Sequence, residues 1–121
     1  MATHRPERVS EALREELEEL IAYELSDPRI RDTAVTEVHM TGDMRHAWVR
    51  LHLSADGRDA TIEALNGAKH FLRRQLAERL NLYRVPELHF EPDSSVGAGA
   101  KAEQLLKRVR RGRPRDQQPP E

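Results

Sequence analysis

Between Val9 and Leu25 the apolar residues fall at spacings of three and four: Val9, Leu13, Leu17, Leu20, Ile21 and Leu25. Glu11, Glu15, Glu18 and Glu19 fill the other faces. That stripe follows the helical repeat and predicts an amphipathic helix of about five turns opening near Pro6. Ser26-Asp27-Pro28 stops it, because proline disfavours helical backbone in the residue before it. The period then drops towards two. Thr33 to Thr41 is rich in β-branched residues, with Ala34, Thr36, Val38 and Met40 expected on one face. Gly42-Asp43 reads as a turn. His46 to Leu53 alternates cleanly and is the clearest strand in the chain: Ala47, Val49, Leu51 and Leu53 point one way, His46, Trp48, Arg50 and His52 the other.

After the loop Ser54 to Gly57, helical pattern resumes near Asp59 with Ile62, Leu65, Phe71, Leu72, Leu76 and Leu80. Asn66-Gly67 interrupts it. A glycine inside a helix costs about 1 kcal/mol relative to alanine, so a kink or joint is expected near Gly67. The pattern ends before Pro86. Glu87 to Glu91 predicts a third strand with Leu88 and Phe90 inward, and Pro92 to Ser95 breaks it. Ala102, Leu105, Leu106 and Val109 predict a short closing helix. From Arg110 to Glu121 no apolar anchor occurs, and a disordered basic tail is expected.

The expected architecture is therefore one α+β domain over residues 1–109 and a tail over 110–121. Its order is helix, strand, strand, helix, kink, helix, strand, short helix. The three strands form a sheet with helices on one face. The other face carries Trp48 with His46, Arg50 and His52. Trp48 in that register can stack on a base or pack beneath the terminal helix; packing is the preferred reading.

Composition narrows the classes. There is no cysteine, which excludes disulfides and thiolate metal sites. No apolar run reaches the length of a signal or membrane segment, so a cytoplasmic protein with no membrane partner is expected. Net charge is only −1, but it is unevenly spread. Residues 1–32 hold five Arg against nine acids, whereas 68–85 hold Lys69, Arg73, Arg74, Arg79 and Arg84 against Glu78 alone. Such polarity fits a polyanion partner or a mixed solvated surface.

No catalytic constellation accompanies these patterns. Gly97-Ala98-Gly99-Ala100 lacks the Lys-Ser/Thr ending of a phosphate loop. Neither an enzyme nor a small-molecule substrate is expected. Of the six histidines, His46 and His52 share a strand face but stand about 20 Å apart at a strand rise of 3.3 Å. One ion cannot bridge them. His39 and His89 fall on neighbouring strands, solvent-facing histidines are expected, and neither metal nor cofactor is required. The basic helix is the site candidate. Lys69 and Arg73, with His70 and Arg74 less closely, face away from Phe71, Leu72 and Leu76. Lys69, Arg73, Arg74 and Arg79, with Arg45 and Arg84 as additions, are expected to grip RNA phosphates.

Several segments carry a resemblance. Glu7-Arg8-Val9-Ser10-Glu11, Ser26-Asp27-Pro28-Arg29-Ile30, Asp43-Met44-Arg45-His46-Ala47, Ala64-Leu65-Asn66, Phe71-Leu72-Arg73-Arg74 and Pro86-Glu87-Leu88-His89-Phe90 occur in order, followed by Asp93 and Ser95. Together, from about Arg5 to Val109, they resemble the bacterial ribosome-binding factor A family. The resemblance implies a type II KH-like fold. It also implies a non-catalytic maturation factor that binds free 30S subunits or their precursors, assists processing of 16S rRNA near its 5′ end and supports growth in the cold. The family's Ala-any-Gly kink aligns with Ala68-Lys69-His70, so the glycine is missing and Gly67 is expected to supply the flexibility. A monomer is expected. Two other readings remain: a generic KH-like single-stranded RNA binder, and a protein-interaction adaptor docking through the acidic first helix.

Overall fold

The computed structural model describes residues 5–30, 32–54, 56–95 and 97–111. Helix α1 spans Arg5–Glu19 and continues into a wider π-helical turn, Leu20–Glu24. Strands β1 (Ala34–Met40) and β2 (His46–His52) follow, then α2 (Arg58–Gly67), α3 (Lys69–Leu80), β3 (Glu87–Pro92) and α4 (Ala98–Arg111). The sheet order is β1-β2-β3. The first pair is antiparallel and the second parallel, with α2 and α3 supplying the long crossover that parallel strands need. None of the described helices is long and apolar enough to cross a membrane.

The expected periodicities locate the core. Leu13, Leu17, Leu20 and Ile21 of the first helix meet Leu65, Leu72 and Leu76 over the inward face of the sheet, built from Val38, Met40, Ala47, Val49, Leu51 and Leu88. Each fully buried leucine contributes about 1.5–3 kcal/mol of transfer free energy.

Strand β1 departs from simple alternation. A bulge between Val35 and Glu37 shifts its register against β2, and Ala34, Val35 and Thr36 are all buried. The extra residue leaves Val35 in the main core, while Ala34 meets Ala102 and Leu105 of α4 in a second, smaller cluster. The terminal helix therefore takes the outward face of the sheet at the β1 edge. It reaches the His52 end of β2, where a Cβ on Gly99 would lie 3.9 Å from the His52 ring. It is also longer than its apolar pattern predicts, running two residues into the expected tail. The rest of that tail, residues 112–121, lies outside the described residues.

Three aspartates close the chain's turns. Asp27 accepts the Arg29 N–H at 2.9 Å and pairs with its guanidinium at 2.7 Å. Arg29 in turn offers its carbonyl to Thr61 Oγ1 of α2 at 2.6 Å. Asp43 accepts the Thr41 hydroxyl at 2.7 Å and the Arg45 N–H at 3.0 Å, in the β1–β2 turn where Met44 takes a positive φ of 61°. Asp93 accepts the Ser95 hydroxyl at 2.7 Å and its N–H at 3.0 Å, and also the buried Thr36 hydroxyl. It thereby ties the end of β3 to β1. Hydrogen bonds from Ser95 and Thr36 hold the Asp93 carboxyl down from 3.8 to about 2, and those from Arg29 do the same for Asp27.

A carboxyl whose pKa is depressed by folding stabilises the fold fully above its unfolded value. That stability drains away as pH falls through the folded value. Stability should therefore decline between pH 3.8 and about 2. Asp93→Asn keeps a turn acceptor but cannot titrate, so its urea-unfolding free energy should fall less steeply across that window than the wild type's, with Asp27 and Asp43, both also lowered by hydrogen bonds, contributing to the remaining slope. An unchanged slope would remove Asp93 from this role.

Candidate nucleic-acid interface

The helix break falls at Ala68. Its φ of −94° and ψ of 2° end α2 and begin α3. Its N–H reaches both Ala64 and Leu65 carbonyls, at 3.1 and 3.0 Å, and its own carbonyl accepts from Leu72 at 2.9 Å. Any L-residue can adopt this bridge-region conformation. Gly67 does not have a positive φ, and a Cβ there would meet nothing within 4 Å. The bend thus needs no glycine at Gly67, and none at His70, which is an exposed residue inside α3.

Rotation of the helix about its axis separates the basic residues. At about 100° per residue, Leu72 and Leu76 define the buried line of α3 and His70, Arg74 and Glu78 the outward one. Observed exposure broadly agrees: His70 and Arg74 are exposed, while Lys69 and Arg73 are half-buried at the margin. Arg73 turns back and donates from Nη2 to the Val85 carbonyl at 3.0 Å. Its Nε is buried with no partner among the described residues. Arg73 is thus a tie to the segment leading into β3.

Arg79 points the opposite way, into α1. Its Nη1 lies 3.3 Å from Glu16 Oε1 and 3.6 Å from Glu19 Oε1, and its Nη2 3.7 Å from Glu24 Oε2. The guanidinium is only 18% exposed. The π turn assembles this site. In a continuous α-helix Glu24 would stand about 140° around the axis from Glu19; the wider turn brings it back towards the same side. Three carboxylates therefore already surround Arg79, one of the residues expected to grip phosphates.

Arg45 and Arg84 each precede a strand that starts at the same end of the sheet. Strands β2 and β3 are parallel, so both begin there, and Glu87 N donates to the Arg45 carbonyl at 2.8 Å. Asn81, at φ 53°, caps α3 in the left-handed conformation and starts the connection to β3. Tyr83 in that connection is fully exposed. Periodicity did not reveal it; its place between a helix-ending Asn and Pro86 was the available signal. Lys69, Arg74, Arg45 and Arg84 make no ion pair among the described residues, unlike Arg14, Arg29, Arg50 and Arg79.

The outward sheet face is laid out in rows. Arg50 donates to Glu91 at 3.1 Å and to Glu37 at 3.3 Å, spanning all three strands. In the next row Trp48 stacks on His89 with ring centres 4.4 Å apart. Trp48 is 40% exposed and is not packed beneath α4, contrary to the expectation. Helix α4 stands over β1 and the far end of β2, so the tryptophan's cover is the neighbouring strand's imidazole.

The layout is that of a KH-like α+β domain of type II order, with α1 and the two helices joined at the Ala68 bend on one sheet face and α4 on the other. The chain belongs to the ribosome-binding factor A family, whose model matches residues 5–106. The curated ribosome-binding factor A of Solibacter usitatus is 44% identical over 98% of both chains. The crystal structure of ribosome-binding factor A from Thermus thermophilus superposes with a TM-score of 0.67 at 28% identity, covering 72% of this chain and 93% of that one. A homology model of Thermus thermophilus ribosome-binding factor A, as fitted into a cryo-electron-microscopy map of a 30S complex, aligns with a TM-score of 0.60 at 30% identity, over 68% of this chain and 88% of that one.

Replacing Arg79 with alanine leaves Glu16, Glu19 and Glu24 without their shared cation in a half-buried site. A loss of about 2 kcal/mol in urea-unfolding stability is expected, between the values for exposed and buried pairs. Arg74→Ala, on the outward line of the same helix, should change stability by less than about 0.5 kcal/mol.

Proposed function

We propose that this chain binds the free 30S ribosomal subunit or its precursors through rRNA phosphates, and assists late assembly and processing of 16S rRNA near its 5′ end. The observation that carries the reading is membership of the ribosome-binding factor A family across residues 5–106, together with a structural relative described in a 30S complex. The role is one of binding rather than catalysis.

Lys69, Arg74, Arg45 and Arg84 form the proposed phosphate-gripping set. They support it because none of them makes an ion pair among the described residues and Arg74, Arg45 and Arg84 are exposed, so contact with a polyanion displaces chiefly solvent and counterions. Tyr83, wholly exposed beside Arg84, adds a surface on which an unpaired base can stack. Arg73 acts one step back by holding the Val85 carbonyl and thus the segment that presents Arg84. The adaptor reading has fewer acids to draw on, since Arg79 engages Glu16, Glu19 and Glu24 and Arg14 engages Glu18, which leaves Glu7, Glu11 and Glu15 exposed on the first helix.

Co-sedimentation with free 30S subunits across a salt series tests the set. Reversing Lys69, Arg74, Arg45 and Arg84 to glutamate should weaken binding about tenfold or more at low salt. The log–log salt slope should fall by about 0.7 for each phosphate contact removed. Full binding by the folded quadruple variant would overturn the assignment of these residues. Equal affinity for 30S subunits and arbitrary short oligonucleotides would favour a generic RNA binder.

A further inference from the structure

The parallel pairing of β2 and β3 brings together three side chains that lie far apart in sequence. His46 and Glu87 are register partners, and His89 follows Glu87 by two residues on the same face. The His46 Nδ1 and His89 Nε2 atoms are 2.9 Å apart, and one ligand atom from each of His46, Glu87 and His89 lies within 4.8 Å of the others. We propose that His46, Glu87 and His89 form a binding site for a late first-row divalent metal ion, with zinc the ion of choice.

The donor set is right for such an ion. Two imidazole nitrogens and one carboxylate oxygen are ligands that borderline cations such as zinc accept, and three protein ligands leave an open position. Zinc–nitrogen bonds run about 2.0–2.1 Å, so a nitrogen separation of 2.9 Å corresponds to an angle of about 90° at the metal. Opening it to the tetrahedral value requires the two nitrogens to part by only about 0.4 Å. Glu87 is exposed and can swing inward.

The surroundings favour preorganisation. Trp48 stacks against the His89 ring and limits its rotation, while the His46 backbone N–H is held by Thr41 Oγ1 at 3.2 Å. Two rows further along the same face, Glu37, Arg50 and Glu91 satisfy one another. The Glu87 carboxylate has no ion pair among the described residues, so no internal cation there competes with the metal for it. His39 shares the row of His89 but lies on β1 with Trp48 between them, His52 stands in another row, and His70 is on α3. The site is thus separable from the remaining described histidines. A bound ion would add a further side-chain bridge between β2 and β3, at the opposite end from the Arg50–Glu91 pair.

The test uses the full chain without an affinity tag, freed of metal with a chelator and titrated with zinc sulfate by calorimetry, then with cobalt(II) by visible absorption. One equivalent should bind, with a tetrahedral cobalt spectrum, and excess zinc should raise the thermal midpoint. His46→Ala and His89→Ala should each weaken binding at least tenfold and abolish the thermal shift, whereas His52→Ala should leave both intact. Glu87→Gln, at an exposed position, guards against misfolding and should weaken zinc binding about tenfold with an unchanged circular dichroism spectrum. No uptake by the wild-type chain, or equal uptake by the folded His46→Ala/His89→Ala double variant, would overturn the site.

Discussion

The side-by-side packing of α1 and α3 on the sheet, locked by Arg79 among Glu16, Glu19 and Glu24, is the constraint on which the other features turn. The leucine rows of the two helices share one apolar core with the sheet, and the guanidinium supplies the charge that holds three carboxylates together. A planar cation with five donors suits that task better than an ammonium. The π turn at the end of α1 belongs to the same unit, since it brings Glu24 within reach. Once α3 is held in this rotation about its axis, Leu72 and Leu76 face the sheet, Arg73 meets Val85, and Arg74 faces solvent.

That rotation sorts a basic segment into two kinds of residue. Arg79 and Arg73 are spent inside the molecule, one on a neighbouring helix and one on a backbone carbonyl. Lys69, Arg74, Arg45 and Arg84 keep their charge available. Part of the contrast between an acidic opening and a basic middle is therefore internal, since Arg79 of α3 sits among Glu16, Glu19 and Glu24. The two ends of the sheet differ in the same way. One is closed by α4 and by the Asp93 link to Thr36; the other carries Arg45, Tyr83, Arg84 and the His46–Glu87–His89 cluster.

The segments that carry the family resemblance serve the fold more than the surface. Asp27, Asp43 and Asp93 each accept backbone and side-chain donors in a turn and set where the next element starts. Ala68 provides the bend between α2 and α3 with ordinary backbone angles, which is why the missing glycine at His70 leaves the bend in place. A motif that looks incomplete by residue type is complete by geometry.

The sequence by itself determined the elements and the inward core. The three-and-four spacing of Leu13, Leu17 and Leu20 and the strict alternation from His46 to Leu53 are local properties, and burial of one face follows directly from them. It also determined the break near Gly67 and the turn at Asp43. Tertiary structure alone decided the rest, because each remaining feature depends on which strand or helix lies alongside. Parallel pairing of β2 with β3 set His89 against His46 and Trp48. The β1 bulge turned Ala34 towards α4, and the rotation of α3 sent Arg79 inward and Arg74 outward. Charge along a chain records how many cations exist; only packing decides which of them remain free.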